Sequence, residues 1–396
     1  MLPLEGMTVI AVEQYGAGPF GTMFLGDLGA DVIKIETPST SGEIGRQVGP
    51  YFFGENNSHF FQSFNRNKRS MTLNLKSDEG IKIFHQLVAE ADAVINNLRG
   101  DLPEKLGLTY QDLKGVNPKI VCTHLSAYGR EGVRKNWPGY DYLMQAETGY
   151  LSVTGEPGQP PSRFGLSIVD MMTGLMASYS LVSGVIGARK HGVGQDLDVS
   201  LFDTALQNLC YLATWYLNEG VVQGREPRSA HPSLTPSQLY KTKDGWIFLM
   251  CNKEKFWSIL ADKINRPEWK DDSRFLTFKE RLENREILTE MLDSALSEKT
   301  SEEWTAIFGG YIPASPVYDI GQALENPFVK NTGRISEYAY TSDDKRIPML
   351  SSPIRVSGEK IPHKAGPLLG EHTNVILRKL GYEDSYISKL KAKGVL

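Results

Sequence analysis

The sequence predicts an α/β protein built on a parallel β-sheet, followed by a smaller α+β region. Short β-branched segments alternate with helical segments over the first 125 residues, a pattern typical of parallel sheets covered by helices. The length of 396 residues exceeds what one ordinary core holds. A stretch rich in proline, serine and charge (residues 224–237) indicates a linker or loop before the second region.

Composition excludes several classes of protein. Forty-three basic against 47 acidic residues give a formal net charge of −4, which argues against a protein that coats nucleic acid or an anionic membrane. The three cysteines (Cys122, Cys210, Cys251) are too far apart in sequence for a disulfide framework or a zinc site, and the histidines show no metal-binding spacing. The first residues lack the pattern of a signal peptide, so we expect a cytoplasmic enzyme.

The first 36 residues predict a strand–helix–strand unit. Residues 7–12 form a β-branched strand, and Gly16-Ala17-Gly18-Pro19 forms a turn with Pro19 in the first turn of a helix. The helix reaches about Leu28, and residues 30–36 form the next strand. Further strands are predicted at 71–75, 93–95, 119–125 and 195–199, and helices at 78–91, 168–188 and 201–217.

The second region predicts charged amphipathic helices and few strands. Its strands are expected at 245–251 and 314–318, and its helices at 253–264, 278–296 and 301–308. Strands at 334–340 and 354–356 and two polar helices, from about His372 and Glu383, end the chain. The segment 168–188 has almost the length of a membrane span, but Asp170 and three serines interrupt it, so we interpret it as a buried helix.

A glycine motif and a basic cluster each allow two interpretations. Gly16, Gly18 and Gly21 match G-x-G-x-x-G, and Glu36 stands where a ribose-binding acid would lie; the same glycines could serve only a tight turn and close helix packing. Residues 64–70 (FNRNKRS) contain three cations, which could hold phosphates or could lie in a solvated turn.

Asp170 is the least ordinary residue of the chain. Its neighbours in GLSIVDMMTG are small or apolar, and an unpaired carboxylate is costly there. It could be the N-cap of a helix that begins at Met171, a reactive nucleophile, or both.

These segments together resemble the class III CoA-transferase family (CaiB/BaiF type), which includes formyl-CoA and carnitine CoA-transferases. The resemblance covers practically the whole chain. It rests on Gly18-Pro19, on LGDLGADVIKIE (25–36), NRNKRS (65–70), GYD (139–141), GLSIVD (165–170), KTKDG (241–245) and PLLGEHT (367–373). Each motif alone is weak, and the ordered set is specific.

The resemblance implies a Rossmann-like large domain made from both chain ends, a smaller middle domain, and two subunits interlocked in an obligate homodimer. On this basis we expect residues 1–200 and 331–396 in the large domain, 226–330 in the small domain, and 201–225 as a linker helix. No nucleic-acid or membrane partner is implied.

The resemblance also implies CoA transfer between an acyl-CoA and a free carboxylic acid, with Asp170 carrying the acyl and CoA intermediates. A carboxylate of reference pKa about 3.9 is already ionised at neutral pH and needs no base. The matching CoA-binding positions are Tyr15, Gly16, Ala17, Leu73, Asn97, Lys105 and Tyr140. No permanently bound cofactor or metal is implied, since CoA is a substrate.

Alternatives stay open at this point. The family also contains acyl-CoA racemases, which use a histidine beside an acid; Tyr140-Asp141 stands at that position, and tyrosine is a poor base at neutral pH. Outside the family, an NAD-dependent oxidoreductase or a non-catalytic nucleotide-binding protein would fit the glycine motif. The acids are expected to be small or medium, dicarboxylic acids among them, with Arg163 and His231 as candidate cations for a second carboxylate.

Overall fold

The computed structural model describes residues 1–340 and 346–396. Its strands, in chain order, are β1 (Thr8–Val12), β2 (Asp31–Glu36), β3 (Phe52–Gly54), β4 (Asn57–Ser58), β5 (Arg69–Thr72), β6 (Ala93–Asn96), β7 (Val121–Ser126), β8 (Gln195–Ser200), β9 (Ser237–Lys241), β10 (Trp246–Met250), β11 (Ala314–Pro316), β12 (Ile335–Ala339), β13 (Arg346–Leu350), β14 (Arg355–Val356) and β15 (Glu359–Lys360). Its α-helices are α1 (Ala17–Asp27), α2 (His59–Asn65), α3 (Asp78–Glu90), α4 (Leu102–Lys105), α5 (Tyr110–Leu113), α6 (Asp141–Glu147), α7 (Tyr150–Val153), α8 (Ile168–His191), α9 (Leu201–Asn208), α10 (Cys210–Glu219), α11 (Glu254–Lys263), α12 (Phe278–Glu283), α13 (Arg285–Leu296), α14 (Ser301–Phe308), α15 (Ile320–Glu325), α16 (Pro327–Asn331), α17 (Thr373–Lys379) and α18 (Asp384–Ala392).

The chain divides into two compact units. The first unit contains Met1–Thr148, Gly165–Cys210 and Asn331–Leu396, and the second contains Gly149–Phe164 and Tyr211–Lys330. The division differs from the predicted ranges, because Gly149–Phe164 groups with the second unit and the boundary falls at Cys210. The predicted helix 201–217 is interrupted there, since Cys210 adopts a left-handed φ of 48°.

The first unit is organised around a six-stranded parallel sheet, which confirms the predicted fold class. Its strand order is β5-β2-β1-β6-β7-β8, with every pairing parallel. The order reverses between β1 and β6, as in doubly wound folds, and ligands bind such sheets beyond the carboxyl ends of the strands near this point. Strand β5 begins at Arg69, two residues before the predicted strand.

The central strands of the sheet are buried on both faces, which explains why β1 and β6 are largely apolar, whereas the edge strand β8 is polar and partly exposed. All six residues of β7 are buried. One continuous core joins the strands to α3 and to the two C-terminal helices, through residues such as Ile10, Val94, Phe84, Leu377 and Leu390. The last residues of the chain therefore complete a core that the first strand begins.

Helix α8 packs against the other side of the sheet. Gly192, in a left-handed conformation of φ 78°, ends the helix. By length and composition alone this helix could cross a membrane. In the first unit one face of this helix packs against α1, β7 and β8. Large apolar side chains such as Tyr179 and Ile186 are exposed, so the helix is half-buried rather than buried as predicted.

The second unit has its own core, as the α+β prediction requires. An antiparallel sheet of order β11-β10-β9 packs against α11, α13 and α14. Its centre contains Trp257, Leu260, Leu292, Trp304 and Phe308. Strand β9 begins at Ser237, the last residue of the stretch that the sequence indicated as a loop.

Candidate active site

A pocket lies beyond the carboxyl ends of β1, β6 and β7, near the point where the strand order reverses. It is lined by Gln14, Tyr15, Gly16, Ala17, Asn97, Leu98, Arg99, Leu125, Ser126, Ala127, Trp137, Pro138, Gly139, Tyr140, Asp170 and Leu201. The structure thus brings together the predicted residues Tyr15, Gly16, Ala17, Asn97, Tyr140 and Asp170. Leu73 and Lys105 do not line this pocket.

Asp170 enters the pocket from the first turn of α8. The N-cap of this helix is Ser167, so the suggested N-cap role of Asp170 is wrong. The helix starts three residues earlier than that interpretation required, and Asp170 stands at its third position. A carboxylate in the first helical turn is favourably placed with respect to the helix dipole.

The pKa of the Asp170 carboxyl group is raised to about 7, mainly by burial and then by the negative charge of Asp141. The sequence argument that this group is fully ionised at neutral pH is therefore corrected. Near pH 7 the acid and the carboxylate are present in comparable amounts.

Asp141 fixes the backbone under Asp170. Its Oδ2 accepts a hydrogen bond of 2.9 Å from the Asp170 amide, one of the amides that a helix leaves without an intrahelical acceptor. Its Oδ1 accepts from Gln145 Nε2 at 2.5 Å. Asp141 is 3% exposed, and sequence reasoning noted it only as the neighbour of Tyr140. Its partner lies 29 positions later in the chain, so local sequence gave no signal for this role.

The glycine motif shapes this corner of the site. A Cβ on Gly16 would lie 3.1 Å from Asp170 Oδ2, so the backbone before α1 closely approaches the carboxylate. A Cβ on Gly21 would lie 2.1 Å from the Gly174 carbonyl oxygen, and one on Gly174 would lie 2.2 Å from the Ala17 oxygen. These contacts agree with the second interpretation of the motif, in which the glycines serve a tight turn and close helix packing.

Asn97 holds the turn between β1 and α1. Its Oδ1 accepts from the Gln14 amide at 2.8 Å, and its Nδ2 donates to the Gln14 carbonyl at 2.6 Å. Tyr15 follows with a left-handed φ of 65°. Asn97 thus supports the pocket loop directly, besides lining the pocket.

Arg66 and Lys68, two of the three cations in the basic cluster at 64–70, serve neither of its suggested roles. Arg66 donates to both oxygens of Asp27, and Lys68 Nζ lies 2.7 Å from Glu13 Oε1. Lys68 is 4% exposed and Arg66 is 6% exposed. Both cations are buried in ion pairs of the fold, so they are neither solvated nor available to a phosphate.

Glu36 is likewise committed to the fold, which contradicts the ribose-binding interpretation. Arg46 donates to its two oxygens at 2.6 and 2.7 Å, and Ser70 Oγ donates to Oε1 at 2.6 Å. Burial alone would raise the pKa of Glu36, but Arg46, Lys34 and Ser70 bring it below its ordinary value.

Two residues implied for CoA binding lie elsewhere in the first unit. Leu73 belongs to the hydrophobic core and is 1% exposed, and its amide donates to the Glu36 carbonyl at 2.8 Å. Lys105 Nζ lies 2.6 Å from Asp101 Oδ2, and Arg99 Nε lies 2.5 Å from Asp101 Oδ1. Arg99 lines the pocket and was missed, because no sequence pattern distinguishes it from a surface cation.

Aromatic side chains form one wall of the pocket. Tyr140 precedes α6 as its N-cap and is 65% exposed, and Trp137 is 48% exposed. Gly139 allows this wall to approach, since a Cβ there would lie 2.4 Å from the Ala127 Cβ. Among the described residues that line the pocket there is no histidine, in contrast to the pair expected for a racemase.

Arg163 and His231 belong to the second unit. Arg163 Nη1 donates to the Phe164 carbonyl at 2.9 Å. Burial, and then Arg285, lowers the pKa of His231 below its ordinary value, which favours a neutral ring at pH 7. A neutral imidazole is a weaker candidate for binding a carboxylate.

Comparison with known proteins agrees with this arrangement. The family model "CoA-transferase family III" matches residues 4–373. The chain is 32% identical over 399 residues to a mouse succinyl-CoA:glutarate CoA-transferase, covering 100% of this chain and 91% of the relative. It is 31% identical to an acetyl-CoA:oxalate CoA-transferase of Acetobacter aceti, covering 95% of each.

A solved structure extends the likeness to the fold. The crystal structure of a CaiB/BaiF family protein from Brucella suis superposes with a TM-score of 0.83 at 31% sequence identity. The match covers 96% of this chain and 99% of that one. The protein is a CoA-transferase, and its chain belongs to CoA-transferase family III.

Proposed function

We propose that the protein moves CoA between carboxylic acids with Asp170 as the nucleophile. The observation that carries the proposal is the position of the Asp170 carboxyl group, in a pocket at the carboxyl edge of the sheet and against the backbone of Gly16. This edge is where ligands bind in doubly wound sheets.

Transfer would proceed in four substitutions at carbonyl carbons. The Asp170 carboxylate attacks the donor thioester, the C–S bond breaks, and CoA thiolate leaves a mixed anhydride. The thiolate then attacks the aspartyl carbonyl, which releases the donor acid as its carboxylate and leaves an aspartyl–CoA thioester. An acceptor carboxylate attacks this thioester and expels thiolate, which finally attacks the acceptor acyl carbon and restores the Asp170 carboxylate.

Charge develops on a carbonyl oxygen in each step, and the start of α1 offers donors for it. The first amides of a helix have no intrahelical acceptors, and the helix dipole favours negative charge there. Gly16 and Ala17 supply such amides beside the pocket. Oriented donors of this kind are among the strongest contributions to acyl transfer.

The proposed CoA site uses the pocket loop and its rim. Tyr15, Gly16, Ala17, Asn97 and Tyr140 line the space next to Asp170. Arg99 adds a cation at the rim, linked through Asp101 to the predicted Lys105. Paired cations that are partly exposed are suited to receive phosphates by charge.

The acid substrates are proposed to be small dicarboxylic acids, with succinyl-CoA as a donor to be tested first. The mouse relative is named for succinyl-CoA and glutarate, and the Acetobacter aceti relative for oxalate. All three acids carry a second carboxylate at neutral pH.

A homodimer is also part of the proposal. Helix α8 exposes large apolar side chains: Met172, Leu175, Met176, Tyr179 and Ile186. Tyr179 is 72% exposed in the single chain, which is unusual for an aromatic residue in the middle of a long apolar helix. A second copy of the chain would cover this face; size-exclusion chromatography with light scattering tests it, with a dimer mass expected and a monomer mass contradicting it.

The decisive experiment tests the covalent role of Asp170. Wild-type protein, Asp170→Ala and the control Asp198→Ala are incubated with succinyl-CoA or acetyl-CoA and a panel of free acids, with mass spectrometry of the products. We expect transfer by the wild type and the control, none by Asp170→Ala, and a hydroxylamine-sensitive adduct on the peptide that contains residue 170. Full activity of Asp170→Ala would exclude the proposed nucleophile.

The same samples separate the racemase alternative. An acyl-CoA incubated in deuterated water without an acceptor acid would gain deuterium at its α-carbon if the protein were a racemase. We expect no such exchange.

A further inference from the structure

The backbone that precedes α1 is held by side chains from other elements. Lys34 Nζ of β2 donates to the Glu13 carbonyl at 3.0 Å, and Asn97 bonds both backbone groups of Gln14. Glu43 Oε2 accepts from the Tyr15 amide at 2.8 Å. Three consecutive residues of the pocket loop thus have side-chain partners for their backbone groups.

Tyr15 needs this support more than its neighbours. Its φ of 65° lies in the left-handed region, which is unfavourable for a residue with a Cβ. Its ring packs on Phe60 at 5.0 Å between centroids, while its side chain is still 38% exposed in the pocket. The Glu43 hydrogen bond is the described contact that holds the Tyr15 amide in this conformation.

Glu43 is itself held in place. Its Oε2 also accepts from the Gly45 amide at 2.7 Å, and its own amide donates to Glu36 Oε2 at 3.1 Å. Its Oε1 lies 3.4 Å from Lys34 Nζ, and the residue is 7% exposed. Lys34 and Glu43 therefore form a buried pair that bonds to the loop at residue 13 and at residue 15.

The next residue, Gly16, is the one whose backbone approaches Asp170 Oδ2. We infer that Glu43 is a positioning residue for CoA transfer, which holds Tyr15 left-handed so that the Gly16 amide faces the acyl group carried by Asp170. The inference rests on the proposed function and adds a residue that does not line the pocket.

The test compares two substitutions of Glu43 with a matched buried acid. Glu43→Ala removes the acceptor, whereas Glu43→Gln keeps an amide oxygen that can accept from Tyr15. Asp27→Asn is the control, because Asp27 is fully buried and paired with Arg66 at the opposite end of α1. Transfer kinetics are measured together with hydrogen exchange of the peptide that contains residues 15 and 16.

For Glu43→Ala we expect kcat to fall about 10- to 100-fold, as for a misplaced reacting group, while KM for the acyl-CoA stays within about threefold. Exchange at Tyr15 should accelerate about tenfold or more. Glu43→Gln should retain most of kcat and of the protection. Asp27→Asn leaves Arg66 without its charged partner, so it should lower the free energy of unfolding, but the folded protein should keep kcat and the protection at Tyr15 near wild type.

Wild-type kcat and exchange in Glu43→Ala would overturn the inference, as would equal losses in Glu43→Ala, Glu43→Gln and Asp27→Asn. If Glu43→Ala does not fold, Glu43→Gln decides: a loss of protection at Tyr15 together with unchanged kcat contradicts the proposed role. If the wild type transfers CoA between none of the acids, the proposed function fails, while the exchange measurement still reports on the Glu43 contact.

Discussion

Buried carboxylates beneath the pocket and the carboxylate within it have opposite surroundings. Below the loop, Glu13 faces Lys68 and Lys34, and these cations hold the pKa of Glu13 below its ordinary value although burial works to raise it. In the pocket, Asp170 is partly buried beside another acid, Asp141, and its pKa rises to about 7. The first acid is stabilised as an anion, and the second is destabilised as one.

The difference suggests how a carboxylate that supports the fold can be distinguished from one that is suited to react. A carboxylate that two cations already neutralise loses their favourable electrostatic energy when it attacks a carbonyl group and becomes uncharged. A carboxylate held in a pocket without such neutralisation loses an unfavourable charge when it becomes an ester-like intermediate. The fold places cations next to the acids that support the loop, and an acid next to the one proposed to react.

The largest expected effect is a loss of stability when the buried Glu13 loses its negative charge. Glu13→Gln leaves the buried Lys68 ammonium group without a charged partner, so we expect a loss of about 3–5 kcal/mol in the free energy of unfolding. Urea denaturation at pH 7 measures it. Glu371→Gln, on the surface, serves as the control; a loss below about 1 kcal/mol in Glu13→Gln would show that the buried pair is not needed.

A second test measures how the activity depends on the protonation of Asp170. Because the carboxylate form of Asp170 attacks, kcat/KM should fall about tenfold per pH unit below a midpoint near 7 and level off above it. The measurement is kcat/KM between pH 5 and 8.5, with folding checked at each pH. A profile that is flat down to pH 5 would indicate an ordinary aspartate.

A smaller shift should follow from Asp141→Asn. The substitution removes the negative charge beside Asp170 and keeps one oxygen that can accept from the Asp170 amide. Since burial is the larger cause of the raised pKa, the midpoint should move down by no more than about one unit. An upward move of the midpoint would contradict the assigned effect of Asp141.

The raised pKa of Asp170 is also expected to make the stability of the protein depend on pH. The folded-state pKa of Asp170 lies above its ordinary value of 3.8, so the stability it contributes is present at low pH and is lost as pH rises through about 7. Asp170→Asn escapes this loss, and its Tm should exceed that of the wild type by more at pH 8 than at pH 5. Differential scanning fluorimetry measures the Tm of both proteins at both pH values. If the Tm of Asp170→Asn at pH 8 were lower than that of the wild type, the carboxylate of Asp170 would not be destabilising.

Local pattern was sufficient for the parallel sheet, whereas the role proposed for Asp170 came from the family resemblance. The alternation of strands and helices predicted the parallel sheet, and the apolar surroundings of Asp170 marked it as unusual. Two cations of the basic cluster were misinterpreted, because their partners are distant in sequence: Glu13 lies 55 positions before Lys68, and Asp27 lies 39 positions before Arg66. Which charges are neutralised depends on the order of the strands, which is not visible in local periodicity.

The supporting residues of the site were missed for the same reason. Glu43 and Arg99 stand in polar segments that resemble any surface loop. Only the placement of β1 between β2 and β6 brings Asn97 and Glu43 to the same turn. Family resemblance supplied Asn97 as a ligand residue, and the structure adds its bonds to the Gln14 backbone.

The contact between Gly21 and Gly174 limits how this enzyme can change. The backbones of α1 and α8 meet there with no room for a methyl group, so the amides of α1 and the carboxylate of α8 are held as parts of one rigid frame. In the outer wall the side chains of Trp137 and Tyr140 are exposed, although Gly139 between them is closely packed against Ala127. Substitutions of these exposed side chains would therefore change the outer wall of the pocket, while the spacing between Gly16 and Asp170 is preserved.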